Sequence, residues 1–392
     1  MVQETVKVEH LITQLQQLID QQSADNDSLM GGGKLGLIVY YHSLWQGYRN
    51  NTYLDKTYVL LDEILDHMNK GTLELEGASL ATGICGLTSV INLLYKDGLL
   101  EMEIDEELAE YDEYLYKEAL QLIKEDKLDY LHGAFGIIKY FTDRLPQPKI
   151  ALYLKEIIRA LHDKAVVTKH GTWFRSVFLF GKSQINFSLS QGQAGFLSVL
   201  TALHEANIDS QKTGFLLQQG IRFTRHHLRE VDFLSQTWSF FPLTISEDGD
   251  DKNYLNRLGW CYGDLNQVSL FYKAAFVLED ENLKQMADLV GGSSLMRRTD
   301  EATQLTDIYV CHGTAGLAQY YYSLYRHSNE ESYLEGWHYW INETMKRLEI
   351  VLHDKSFKGN ETRMLDGLSG VVLVLLGHLI NEELPWTDLL LL

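Results

Sequence analysis

Two of the three cysteines in this 392-residue chain, Cys261 and Cys311, stand 50 positions apart, and His312 directly follows the second. Two thiolates and an imidazole form a donor set suited to Zn2+, and a Cys2His set leaves the fourth tetrahedral position open for water or substrate. Both cysteines sit two places before a glycine that opens a GxxG-like segment. Asp129 and His132, Gln191, and Arg257 and Tyr262 fall just ahead of equivalent segments. A bland alternative for the cysteines is burial as small apolar side chains. Their shared register and the adjacent His312 favour the metal. Cys85 lies inside its own GxxG, where glycine or alanine would serve, and reads as structural.

The elements that must position these groups repeat. GxxG-like segments, each followed by an apolar run, begin at Gly33, Gly83, Gly133, Gly192, Gly263, Gly313 and Gly367, spaced by 50, 50, 59, 71, 50 and 54 residues. The fifth carries Asn266 where the others have the second glycine. Between them lie amphipathic runs with apolar residues at i, i+3, i+4 and i+7: His10–Gln21, Tyr53–Asn69, Leu108–Lys124, Ile150–Asp163, Thr213–Leu228, Glu281–Val290 and Tyr333–Leu352. A helix apolar on every side must be buried, and an amphipathic one covers it. The expected fold is all-α: an (α/α)7 toroid of seven inner and seven outer helices, one domain over residues 1–392.

Closure is favoured over an open solenoid, because the last repeat is among the most apolar and lacks a polar end cap. Glycines at the inner-helix starts are expected to let those helices crowd together at one end of the ring. The residues one place before each first glycine are Gly32, Thr82, His132, Gln191, Tyr262, His312 and Asp366. In a ring of equivalent repeats they share one rim with Asp129, Arg257, Cys261 and Cys311. Thr172–Asn186 and Thr237–Asn256 occupy the two longest gaps and read as short β-like excursions at that rim. The acidic residues Glu247, Asp248, Asp250 and Asp251 miss EF-hand spacing and read as a solvated loop.

Composition narrows the function classes. Lys plus Arg total 34 against 54 for Asp plus Glu, a net charge of −20, which argues against nucleic acid and anionic lipid as partners. Three cysteines cannot build a disulfide framework, which points to a reducing, cytoplasmic setting. The N-terminus lacks the apolar block of a signal peptide. The longest apolar stretch, Val371 to Ile380, is about half a membrane span, so no integral membrane segment is expected.

The segments WCYGD (Trp260–Asp264) and CHGTAG (Cys311–Gly316), with the GxxG repeats, resemble the LanC-like lanthionine cyclase family from about Asp25 to the C-terminus. The resemblance implies the α/α toroid, and Zn2+ held by Cys261, Cys311 and His312. It implies addition of a peptide cysteine thiol to dehydroalanine or dehydrobutyrine, closing a thioether ring. It also implies a dehydrated precursor peptide with a leader as substrate and a separate lanthipeptide dehydratase as partner. Asp129 in LDYLHG, Arg257 and Tyr262 correspond to further functional positions. Active cyclases of this family usually carry a histidine just before the fourth GxxG, where this chain has Gln191.

Addition to the alkene creates an enolate that must be stabilised and protonated. Arg257 supplies positive charge without titrating, and Tyr262 donates a hydrogen bond or a proton. Gln191 can orient groups but cannot shuttle a proton. His132, at the same repeat position one hairpin away, is the leading substitute; water or Tyr262 is the alternative. Asp129 reads either as a cap for the third inner helix or as a partner of His132 or Arg257. Competing readings are a zinc-bound pseudo-cyclase acting as a peptide scaffold, and an enzyme adding glutathione to dehydrated residues. A more distant alternative, an α/α-barrel glycosidase, needs two facing carboxylates and leaves the Cys–Cys–His set unexplained.

Overall fold

Each apolar run that follows a GxxG becomes a helix with almost no exposed face. The computed structural model describes residues 2–24, 26–177 and 183–392. In chain order its helices are α1 (Val2–Ile19), α2 (Lys34–Tyr48), α3 (Asn51–Lys70), α4 (Ile84–Lys96), α5 (Ile104–Glu107), α6 (Ala109–Lys124), α7 (Ala134–Asp143) and α8 (Pro148–Lys164). The second half adds α9 (Gln193–Glu205), α10 (Ser210–His226), α11 (Asp264–Leu278), α12 (Glu281–Ser294), α13 (Asp300–Thr303), α14 (Thr314–Ser328), α15 (Glu331–Asp354) and α16 (Leu368–Ile380). The helices that follow the glycines are α2, α4, α7, α9, α11, α14 and α16. In α14 every residue from Thr314 to Leu324 is buried, and in α16 every residue from Leu368 to Gly377. The covering helices bury one stripe: α3 only Thr57, Leu61 and Ile64, and α8 Ile150, Leu154, Ile157, Ile158 and Leu161. Each such aliphatic side chain contributes roughly 1.5–3 kcal/mol when removed from water.

The chain divides into two compact units. The first comprises Met1–Gly77, Ala81–Val90 and Leu305–Leu392. Within it α2 pairs with α3 and α14 with α15, and both α1 and α2 pack on α16. The Thr362 hydroxyl donates to the Gly32 carbonyl at 3.0 Å, 330 positions away in sequence. The first repeat therefore meets the last, as the apolar final helix required. The stripe Val8, Leu11, Ile12, Leu15 and Ile19 buries one face of α1.

The second unit comprises Ala78–Leu80 and Ile91–Gln304. Here α9 pairs with α10 and α11 with α12, and α9 also packs on α7 and α11. The two long gaps do form strands. Strands β1 (Val166–Thr168) and β2 (Gly171–Trp173) make a hairpin, followed by β3 (Ser176–Val177), β4 (Ser183–Asn186), β5 (Thr244–Ser246) and β6 (Lys252–Asn253). Residues 178–182 of the first excursion lie outside the described residues. The excursions pair with each other: the antiparallel order is β3-β4-β5-β6, with Ile185 opposite Ile245. Trp173, Ile185, Phe187, Phe223 and Ile245 form a small core of their own. The acidic stretch closes β5 onto β6: Asp248 bonds the Ser246 hydroxyl, Asp251 N–H donates to the same hydroxyl at 3.0 Å, and Glu247 pairs with Arg175. Among the described residues, no helix is long and apolar enough to cross a membrane.

The glycines serve a purpose beyond the one expected of them. They accommodate the loop that precedes each inner helix, which folds back across its first turn. A β-carbon on Gly316 would collide with the Val310 carbonyl, one on Gly195 with that of Leu189, and one on Gly370 with that of Met364. Close approach lets the loop satisfy the helix N-terminus. The N–H groups of Thr314, Ala315 and Gly316 donate to the carbonyls of Asp307, Ile308 and Tyr309 at 3.2, 3.2 and 3.3 Å. Those amides would otherwise be orphaned, since α14, like α2, α7, α9, α11 and α16, has no side-chain cap. Asn266 solves the same problem with a side chain. Its Nδ2 donates to the Trp260 carbonyl at 3.0 Å, the position that meets glycine elsewhere, and its Oδ1 accepts Leu189 N–H at 3.1 Å.

Candidate metal centre

The loops that lead into the inner helices are joined by backbone hydrogen bonds with one register. Tyr130 N–H donates to the Ser190 carbonyl at 2.9 Å, and Leu189 N–H to the Cys261 carbonyl at 3.0 Å. In the other unit Cys311 N–H donates to Leu365 at 2.8 Å, and Leu29 and Met30 both donate to Ala81. Every acceptor stands two places before the first glycine of its repeat. Both candidate zinc cysteines occupy that position, so their backbones are held by this lattice independently of their side chains.

Cys261 is buried, whereas Cys311 and His312 are partly exposed. The Cys311 Sγ lies 3.5 Å from His312 Nε2. The donor atoms of Cys261, Cys311 and His312 all lie within 4.8 Å of one another, the one such group of three among the described residues. The donor set and the spacing fit zinc. With Zn–S near 2.3 Å and Zn–N near 2.0 Å, two tetrahedral ligands stand about 3.6 Å apart. Cys85 is fully buried, with its sulfur 3.9 Å from the Ser89 hydroxyl, and is no member of this group. The amides opening α14 are bonded to carbonyls, so they are not free to hold a thiolate.

Arg257 is fixed from two sides. Its Nε donates to the Gln304 carbonyl at 3.1 Å, and its guanidinium stands 5.0 Å from the centre of the Tyr262 ring. Leu258 N–H donates to the Thr303 carbonyl at 3.0 Å, and Gly259 N–H to that of Tyr262 at 3.1 Å. The result is a tight loop that carries guanidinium, thiol and phenol together.

Asp129 does not cap α7, whose N-cap is Gly133 with no side-chain bond. Its Oδ1 instead accepts the backbone N–H of His132 at 2.6 Å, and burial lifts its carboxyl above the ordinary range against the pull of the His132 and Leu131 amides. Those bonds close the turn beneath an exposed His132. Gln191 is half-buried, with its N–H on the Ser188 hydroxyl at 3.2 Å. The loops bearing His132, Gln191 and Cys261 are thus three successive members of the bonded series. Asp366, at the equivalent place in the last repeat, pairs with Arg363 at 3.0 Å.

Sequence reasoning missed two features beside the Cys261 loop: the bonds of Asn266, and a buried ion pair between Asp264 and Arg297 at 3.1 Å. The break in the fifth GxxG flagged Asn266 without revealing its partners. Nothing in the spacing of Arg297 ties it to Asp264.

The sequence model of the family described as "Lanthionine synthetase C-like protein" matches residues 24–391. Nisin cyclase is similar in structure, with a TM-score of 0.78 over 100% of this chain and 98% of that chain, at 18% sequence identity. At that identity the likeness establishes the fold: the helical toroid that the repeats predicted.

Proposed function

The chain belongs to the lanthionine synthetase C-like family, and on that premise we propose that it is a zinc-dependent thioether-forming cyclase. It adds cysteine thiols of a dehydrated peptide to dehydroalanine or dehydrobutyrine. The observation that carries this reading is the convergence of Cys261, Cys311 and His312. Zinc held there would acidify a substrate thiol at its open position and keep the sulfur nucleophilic near neutral pH.

The chain's own residues supply the rest. Attack on the β-carbon leaves an enolate, and the Arg257 guanidinium offers it a permanent positive charge. The Tyr262 phenol donates a hydrogen bond beside it. The α-carbon then takes a proton, for which His132 is the proposed donor, on a turn fixed by Asp129. The Gln191 carboxamide orients substrate but transfers no proton. The substrate is a precursor peptide with its leader, dehydrated beforehand by a separate enzyme.

Gln191 also supports a second reading, a zinc-bound peptide scaffold without turnover. One experiment separates these two and the addition of glutathione to dehydrated residues. Purified protein of measured zinc content is mixed with a dehydrated peptide, and free thiol is followed by alkylation and mass spectrometry. Thiol loss without mass change supports the cyclase. Stoichiometric zinc without thiol loss supports the scaffold, thiol loss only with added glutathione supports small-thiol addition, and absence of zinc defeats all three.

A further inference from the structure

Asp264, the first residue of α11, and Arg297 form an ion pair at 3.1 Å in which each side chain is 2% exposed. The carboxylate also accepts the amides of Phe240 and Phe241, at 3.0 and 3.1 Å. The guanidinium donates through Nε to the Ala302 carbonyl at 2.9 Å and through Nη2 to that of Asn256. Every one of these bonds ends beside the loop of residues 257–263. Asn256 immediately precedes Arg257. Ala302 precedes Thr303 and Gln304, whose carbonyls take the Leu258 amide and the Arg257 Nε. Phe240 and Phe241 belong to the second excursion, which the catalytic reading leaves without a role.

We propose that Asp264 and Arg297 are positioning residues: a buried clamp that sets the loop carrying Arg257, Cys261 and Tyr262 against its supports. This rests on the zinc reading above. The physical reason lies in direction. Two buried charges are costly to desolvate, and an apolar pair of the same volume often stabilises a fold as well. An apolar pair cannot bind two amides and two carbonyls at fixed angles. The clamp fixes the start of the loop through Asn256 and through the 302–304 segment, which holds Arg257 and Leu258, and its end through Asp264 itself. The second excursion becomes a buttress of the loop, tied in through two backbone amides.

The test uses the full-length chain with Asp264→Asn and Arg297→Lys, and Asp112→Asn as control. Asp112 makes a comparably buried pair with Arg144, away from this loop. Folding is followed by circular dichroism, and zinc affinity by competition with a chromogenic chelator. Both clamp variants are expected to bind zinc at least roughly 10-fold more weakly while folded, with kcat lowered more than KM is raised. The control is expected to lose thermal stability and keep wild-type zinc affinity. Clamp variants within 2-fold of wild type, or a control equally impaired, overturn the positioning role alone, as does failure of both clamp variants to fold. A wild-type chain that takes up no zinc overturns the metal reading and this one with it.

Discussion

The main-chain carbonyl of Cys261 accepts the amide of Leu189 at 3.0 Å, so the residue that carries a proposed zinc thiol hangs from the loop that carries Gln191. Asn266 braces the same junction from behind, bonding Leu189 N–H and the Trp260 carbonyl. Asn266→Ala would remove both of these buried side-chain hydrogen bonds and is expected to cost about 1–3 kcal/mol. Chemical denaturation measures that cost. Chelator competition on the folded variant is expected to show weaker zinc binding, and unchanged binding would contradict the bracing role.

The three cysteines make a sharp comparison. Cys261→Ala and Cys311→Ala are expected to purify folded with little or no zinc, whereas Cys85→Ala keeps full stoichiometry. Elemental analysis of the three proteins, with circular dichroism alongside, decides the ligand assignment.

Glycine function predicts an asymmetry. Gly316→Ala pushes a methyl into the Val310 carbonyl and is expected to destabilise by about 3 kcal/mol. Gly292, on the open face of α12 with nothing near its β-position, is expected to tolerate alanine and gain up to about 1 kcal/mol in helix propensity. Urea unfolding of both variants checks the contrast.

His227 couples stability to pH. Burial, with Lys252 and two neighbouring histidines, holds its imidazole down at about 4, against 6.5 for an unperturbed group. Between those values the unfolded chain binds a proton that the folded chain refuses, so stability falls as pH drops through the window. Its contribution, present above pH 6.5, is about 3 kcal/mol and is lost by about pH 4. His227→Phe is expected to lose about 2 kcal/mol less than wild type between pH 7 and 4.5. Parallel denaturation curves at the two pH values would refute it.

The proton donor is open to a paired test. His132→Asn is expected to slow thioether formation by roughly 100-fold or more without changing zinc content. Gln191→His is expected to restore part of that loss in the double variant. An unaffected His132→Asn rate moves the role to Tyr262 or solvent.

Much of this molecule is legible in one dimension. The interval between GxxG segments, the alternation of all-apolar with one-sided runs, and the common register of Cys261 and Cys311 depend only on local periodicity. They point to the helices, their burial and the candidate ligand set of Cys261, Cys311 and His312. Local periodicity was also incomplete, because a glycine at a helix start looks the same whether it admits a neighbouring repeat or its own incoming loop. Asp129 shows a related limit: of its two sequence readings, a cap of the third inner helix or a partner of His132 or Arg257, the structure has the pairing with His132, through the backbone amide. The pairing of the two excursions joins Ile185 to Ile245, and Asp264 meets Arg297 across 33 positions. Neither leaves a periodic trace, because each depends on which surfaces remain once the helices have packed. The sequence determined which chemistry is available. Tertiary structure decided which backbone groups hold it in place.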